Sequence, residues 1–424
     1  MKVLVIGNGG REHALCISVK KSPLCDELFC LPGSDAISAL AECHAIDVNN
    51  SQKIIDFCLE KKITFVIIGP EVPLTIGLVD DLEKNNIVAF GPTQQGAMLE
   101  KSKIYTKEIC DQHNIPTGQY KKFTNFADAH DYCNKVSFPS VIKADGLAAG
   151  KGVIIAHNLK EAQEAVSKCM KEKVFAEAGK EIIIEEFLEG EEVSLFALVD
   201  AKGFILPLTT AQDHKKINEG ETGLNTGGMG AYSPIPSISN ARMYELSNQF
   251  VKPVIQALQN IGITFKGMFY AGIILTINGP KLLEINVRFG DPETQAVLPR
   301  IKSDVLKLLF NASIGELIKS SNIDWDNRCC MTVVMSTKGY PEEYPKNTAI
   351  HNLDSINLPA DNYIFHSGTK RNDKQWFSDG GRVLSISSLG ETINEVKGNV
   401  YSIINQIKWD GGYYRKDIGW RHTS

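Results

Sequence analysis

Three polar side chains of different chemistry, Glu284, Asn286 and Arg288, recur at every second position of Leu282–Thr294, LLEINVRFGDPET. A strand sends alternate side chains to opposite faces. The spacing therefore predicts a strand running into a loop. Leu283, Ile285 and Val287 face a core, and a carboxylate, an amide oxygen and a guanidinium line the other face. A carboxylate plus a neutral oxygen is what a magnesium ion takes when phosphates supply its other ligands. Arg288 can hold an anion beside that metal. Gly290 turns the chain, and Asp291 and Glu293 add acceptors next door. Taken alone, the stretch reads equally well as an edge strand with a solvated polar face.

Glycine-rich loops elsewhere supply what such a metal needs. Gly7-Asn8-Gly9-Gly10 lies between a strand, Lys2–Ile6, and a helical stretch from about Arg11 to Lys21. A turn of this kind offers backbone N–H groups to an anion at a helix N-terminus. A dinucleotide site needs a third glycine where this chain has Glu12, and an acidic residue after the second strand, where Pro32-Gly33 stands. A single phosphate or a phosphosugar fits better. Asp145–Gly152, DGLAAGKG, lies between strands Ser140–Lys143 and Val153–Ala156 and predicts a flap over phosphates, with Gly146, Gly150 and Gly152 as its pliant points. Its spacing is not that of a P-loop, which also needs a Ser or Thr. Lys143, beside Val141–Ile142, is placed to donate to a phosphate. Glu185, Glu186, Glu189, Glu191 and Glu192 cluster around Gly190, which reads either as a hinge that offers backbone to a base and a carboxylate to ribose or as a merely solvated acidic turn. Ala211–Pro234 predicts a long loop carrying Asp213, His214, Lys215 and Gly227-Gly228-Met229-Gly230. With nothing apolar beside it, His214 reads as a ligand contact. Glu71, just past the short strand Phe65–Ile68, reads either as a ligand for sugar hydroxyls or as a solvated loop glutamate.

The elements that must position these groups alternate between strand and helix through the first hundred residues, which predicts a parallel sheet with its ligand at the carboxyl ends of the strands. At 424 residues the chain needs two to four domains. Its 43% apolar and 22% charged content is ordinary for a soluble globular protein, and a net charge of −5 advertises neither nucleic acid nor anionic membrane as partner. Anionic substrates must then be captured by local loops. The ten cysteines show no metal-ligand spacing and read as reduced structural thiols. No apolar run approaches a membrane span, and MKVLVIG at the start lacks the pattern of a signal peptide. A cytoplasmic protein is expected.

Set side by side, GNGGREHAL, GPE at 69–71, KADGLAAGKGV at 143–153, IEEFLEGEEVS at 184–194, QDHK at 212–215, NTGGMGAYSP at 225–234, EINVRFGDPETQ at 284–295 and RKDIGW at 415–420 resemble the phosphoribosylamine–glycine ligase family of the ATP-grasp superfamily. The resemblance runs in order from residue 7 to residue 420. It implies an α/β multidomain fold: a preATP-grasp N-terminal domain over 1–103, an ATP-grasp domain over 104–323 with a lid at about 120–188, and a C-terminal domain over 324–424. It implies a monomeric enzyme of de novo purine synthesis taking ATP, Mg2+ or Mn2+, glycine and 5-phosphoribosylamine. On that reading Glu284 and Asn286 hold the metal. Lys103 and Lys143 contact ATP phosphates under the flap, with Lys143 and Arg288 acting on the reacting groups. Glu185, Glu186, Leu188 and Glu192 line the adenosine site. Gly9, Gly10, Glu71, Asp213, Lys215, Gly228, Arg288, Asp291 and Glu293 serve the phosphosugar and glycine. Many superfamily members carry a further metal carboxylate on the preceding strand. Tyr270–Thr276, YAGIILT, offers none.

Overall fold

The computed structural model describes residues 1–148 and 152–423. The N-terminal unit is a five-stranded parallel sheet in the spatial order Glu42–Cys43, Glu27–Pro32, Lys2–Gly7, Phe65–Ile68, Val88–Phe90. The chain starts in the middle, steps outward one way and then crosses to the other side. Strand order therefore reverses between Lys2–Gly7 and Phe65–Ile68, where Ile6 pairs with Ile68. Loops leaving neighbouring strands part at such a point and open a crevice. Gly7–Gly10 and Gly69–Glu71 both leave the sheet there. The strands are apolar on both faces because both are covered. Leu4, Ile6, Val66 and Ile68 join one core cluster, and Val3, Val5, Phe65 and Ile67 another.

The scaffold of the rest is one long sheet. Gly279–Asn286, Gly267–Thr276, Glu191–Val199 and Ile205–Asp213 lie side by side, and Gly230–Ser233 joins them to Cys329–Thr337, Arg382–Gly390 and Asn362–His366. Most of Ala211–Pro234 is thus not a loop. Its first strand runs on to Asp213, Lys216–Asn218 pairs with Thr222–Asn225, and Gly230–Ser233 sits inside the sheet. These strands are too short to show a period, and one pairs across a hundred residues, Gly230 with Val333.

The strand carrying Glu284 departs from plain alternation. Glu284 pairs with Gly272 but Leu282 with Ile273, so Leu283 bulges out of the ladder. Leu282, Ile285 and Val287 enter the core, while Leu283 stays half-buried against the cleft. The expected core position of Leu283 is therefore corrected. Glu284 and Asn286 keep the cleft side because alternation resumes beyond the bulge.

A small four-stranded sheet, Tyr120–Phe123, Ile182–Glu186, Ser140–Ala144 and Val153–Ala156, stands over this strand. It has its own core around Ile142, Ile184, Ala162 and Val166. The helix Leu159–Val166 covers it, capped by Asn158, whose side chain accepts from Glu161 N. Ties to the long sheet include Leu282 N donating to Pro116 O at 2.8 Å, Thr117 Oγ1 donating to Leu282 O at 2.7 Å and the Lys281–Glu186 ion pair at 2.7 Å. The helical stretch expected over Lys101–His113 breaks at Ser102, which caps a new helix, Lys103–Gln112. Among the described residues no helix is long and apolar enough to cross a membrane.

Candidate active site

A cavity of about 720 Å³ lies between the small sheet, the long sheet and the N-terminal unit. It brings together Glu71, Lys103, Lys143, Gly146, Gly152, Glu185, Glu186, Leu188, Glu192, Asp213, Lys215, Glu284, Asn286, Arg288, Asp291 and Glu293. Gly150 lies outside the described residues.

At its centre Glu284 faces Lys215, with Nζ to Oε1 at 3.3 Å, and Lys215 also meets Glu192 at 3.2 Å. The Lys215 charge, with Lys143 and Lys103 behind it, overrides burial and holds the Glu284 carboxyl at about 2. Asn286 presents its Oδ1 two residues along, where it accepts from Arg288 Nη2 at 3.4 Å. An ionised carboxylate and an amide oxygen form a hard donor pair suited to Mg2+ or Mn2+. No cluster of three or more metal-capable His, Cys, Asp or Glu side chains occurs among the described residues. Opposite Glu284 stands Gly272, where an added Cβ would lie 2.9 Å from Glu284 Cγ, so a second carboxylate has no room there. Two protein oxygens fit a metal whose remaining ligands come from polyphosphate.

The lysines form a tier beneath the small sheet. Lys143 Nζ lies 2.6 Å from Glu185 Oε2, and Lys107 pairs with the same carboxylate from the other side. Glu185 thus lines the cavity, with its charge occupied by two lysines rather than left open to a ligand. Lys103 donates to Gly146 O at 3.0 Å, and Asp145 accepts from Ser102 Oγ and Ile104 N. The flap is therefore anchored at its first residues to the start of the Lys103–Gln112 helix. Burial pushes the ammonium pKa of Lys103 down. Glu186 pairs with Lys281 at 2.7 Å on the exposed rim.

The other end gathers around Arg288, whose guanidinium reaches Glu71 at 3.2 Å and Glu100 at 2.9 Å. Burial raises the Glu71 carboxyl, but Arg288 and Arg11 overcome this and hold it at about 2. Glu100, fully enclosed, is pushed up by burial in spite of Arg288. Behind Arg288, Glu293 accepts from Tyr270 OH at 2.7 Å and Ser194 Oγ at 3.3 Å. Burial and the nearby Glu293 carboxylate raise Asp213 well above the ordinary range.

Two expectations need correction here. Gly9, Gly10 and the buried Gly228 do not border the cavity. Gly9 N donates to Glu12 Oε2 at 2.7 Å, and Gly10 packs beneath Ser367 and Gln295. The Glu12 carboxylate is wedged against Gly7 and Gly69, so the chain fills its own anion notch, which also disposes of a dinucleotide. The group this loop presents is Arg11, held by Glu12 and by Phe289 O. His214 is a core residue, not a ligand contact. It is fully buried, its Nε2 accepts from Gly419 N at 3.1 Å, and its ring leans on Gly230 O. Its partner lies two hundred residues away, in the RKDIGW segment, so flanking polarity was the wrong guide.

Arg11, Glu100, Lys107, Tyr270 and Arg382 are cleft residues that the sequence did not single out. Arg11 sits inside the GNGGREHAL motif and could have been noticed. Glu100 and Lys107 look like ordinary charges of amphipathic helices.

A metal-ready Glu–Asn pair, lysines beneath a small sheet with its own core, and an antiparallel scaffold define a protein of the ATP-grasp class. The biotin carboxylase of Campylobacter jejuni, solved as a β,γ-ATP complex, shares this fold with a TM-score of 0.76 at 13% identity, over 98% of this chain and 93% of that one. The family description for phosphoribosylglycinamide synthetase matches in three parts: the N domain at residues 1–100, the ATP-grasp (A) domain at 101–294 and the C domain at 330–421. This chain is 44% identical to the phosphoribosylamine–glycine ligase of Agrobacterium fabrum, over 99% of its own length and 98% of the relative. It is 44% identical to the chloroplastic enzyme of Arabidopsis thaliana, over 99% and 82%. The crystal structure of the Thermotoga maritima ligase superposes with a TM-score of 0.84 at 28% identity, over 99% of this chain and all of that one. The chain belongs to the phosphoribosylamine–glycine ligase family.

Proposed function

We propose that the cleft ligates glycine to 5-phosphoribosylamine at the expense of ATP, giving glycinamide ribonucleotide, ADP and phosphate in purine biosynthesis. The observation that carries this reading is that one strand, Gly279–Asn286 with its continuation to Arg288, serves both halves of the cleft: Glu284 and Asn286 face the lysine tier and Arg288 faces Glu71.

A carboxylate is a poor acyl donor because oxide would have to leave. Transfer of the ATP γ-phosphoryl group to the glycine carboxylate makes glycyl phosphate and ADP. The amine of phosphoribosylamine then attacks the carbonyl carbon and phosphate departs. Such a reaction asks the protein for positioning and charge neutralisation more than for covalent partners. Lys103 and Lys143 neutralise phosphate oxygens under the flap. Glu284 and Asn286 would hold Mg2+ or Mn2+, which when bound screens the charge of the transferring phosphoryl group. Arg288 is fixed by two carboxylates and keeps its charge near the acyl phosphate. Asp213 and Glu293 suit the ammonium of glycine, and Arg11 and Glu71 suit the phosphosugar.

The test is ADP release with glycine and freshly made phosphoribosylamine, each omitted in turn. Release that requires both supports the reading. Release with neither, or with another amino acid in place of glycine, rejects it.

A further inference from the structure

The acceptor end of the cleft is held together from the far end of the chain. Arg382 opens the strand Arg382–Gly390, and its guanidinium spans two segments that do not otherwise share a hydrogen-bonded ladder. Nη1 donates to Gly227 O, to Asp291 O at 2.6 Å and, more weakly, to Gly228 O at 3.4 Å. Nη2 lies 3.1 Å from Asp291 Oδ2. Gly227 permits this because a Cβ there would lie 2.9 Å from Arg382 Cζ, so the guanidinium rests on bare backbone. Tyr340 works from the same side, its hydroxyl accepting from Gly227 N at 3.0 Å. Glu293 follows the Asp291 loop into the cleft, and Asp213, which ends the neighbouring strand Ile205–Asp213, lines the cleft beside the buried Gly228. A Cβ on Gly228 would fall 2.4 Å from Pro292 Cδ and 2.6 Å from Asp213 Oδ1, so the two segments touch there.

We propose that Arg382 is a positioning residue for the glycine and amine half of the cleft: it locks the Gly227-Gly228 turn onto the Asp291 loop and so sets the spacing of Asp213 and Glu293. Only a planar group with several fixed donors can satisfy two carbonyls and a carboxylate at once. The nucleotide half needs none of these contacts, since Lys103, Lys143 and Glu284 belong to other segments. Misplacing reacting groups by about 1 Å costs on the order of a hundredfold in rate. The inference rests on the reaction proposed above.

The experiment compares Arg382→Gln and Arg382→Lys with the unmodified chain by steady-state kinetics in each substrate, by ADP titration and by thermal unfolding. The expected result for Arg382→Gln is a loss of about tenfold or more in kcat/KM for glycine or for the amine, with the ADP dissociation constant unchanged. Arg382→Lys restores part of the loss, because an ammonium still pairs with Asp291 but cannot bridge both carbonyls. Unchanged kinetics in both variants overturn the proposal. So does an equal loss of ADP affinity, or failure of both variants to fold, since either makes Arg382 a general structural residue. If the unmodified chain binds ADP but shows no glycine-dependent ADP release, the proposed reaction fails instead, whatever the variants do.

Discussion

Lys215 holds its ammonium 3.3 Å from the carboxylate of Glu284, the residue that would carry the metal. The pair keeps that carboxylate ionised, and it lets Lys215 answer the charge when no cation is present. Glu284→Ala should therefore abolish turnover, by about a thousandfold or more, if charge neutralisation there carries the phosphoryl transfer. The fold should survive, because the side chain is partly exposed and Lys215 keeps Glu192. Glycine-dependent ADP release at saturating Mg2+, set beside a melting curve, decides it. A rate near that of the unmodified chain would remove Glu284 from the metal site.

The Lys107–Glu185–Lys143 cluster makes a prediction about the small sheet. Lys107 and Glu185 are only 4% and 2% exposed. Removing one partner of a buried pair leaves an uncompensated charge and costs roughly 3–5 kcal/mol. Glu185→Ala strands two lysines, whereas Lys107→Met leaves Glu185 paired with Lys143. The first change should loosen the small sheet much more than the second. Amide exchange across Tyr120–Phe123 and Ile182–Glu186 measures this. Equal protection in both variants would show that the cluster carries no such strain.

Much of this architecture was legible in the residues. The strands of the parallel sheet announced themselves because apolar runs of this length bounded by Gly and Pro have few other homes. Glu284, Asn286 and Arg288 were legible because alternation is a local property. What escaped was non-local. The bulge at Leu283 depends on the register against Gly272 and Ile273. Glu12 filling the notch of Gly7 and Gly69 depends on a second strand's loop. His214 meets Gly419, and Arg382 meets Gly227 and Asp291, across spans that no window of sequence contains.

Histidines at the same kind of long-range contact set the response to acid. His13 of the N-terminal unit accepts from His366 N at 2.9 Å and is held at about 3 by burial and by the neighbouring ring. His366 is held at about 4 by burial and by Arg371. Both stay neutral in the fold, while an unfolded histidine binds a proton near 6.5. Between about 4 and 6.5 the unfolded chain therefore carries more protons. Stability is full above that window and falls with acid by up to about 1.4 kcal/mol per pH unit per histidine. Melting temperatures from pH 7.5 down to 4.5 should drop, and less steeply for His366→Gln. An unaltered slope in that variant would place the acid response elsewhere.

Gly228→Ala tests whether the acceptor loops need their contact. Gly228 sits at φ +109, where a residue with a Cβ is strained whatever the space. Space is lacking as well, since Pro292 and Asp213 both occupy the place of the new methyl group. One carbon thus pushes apart the turn that Arg382 holds from behind and the loop that carries Glu293. Backbone strain at such a site costs on the order of 1–3 kcal/mol. A fold of this size absorbs that amount, so the variant should remain folded with a modestly lowered melting point. The cleft does not absorb it in the same way, because the displacement falls between Asp213 and Glu293. The expected signature is a raised KM for glycine and a lowered kcat, with ADP affinity preserved through Lys103, Lys143 and the flap. If glycine kinetics are untouched while stability drops, the Gly228 contact serves folding alone, and the glycine site must be sought nearer Glu71 and Arg11.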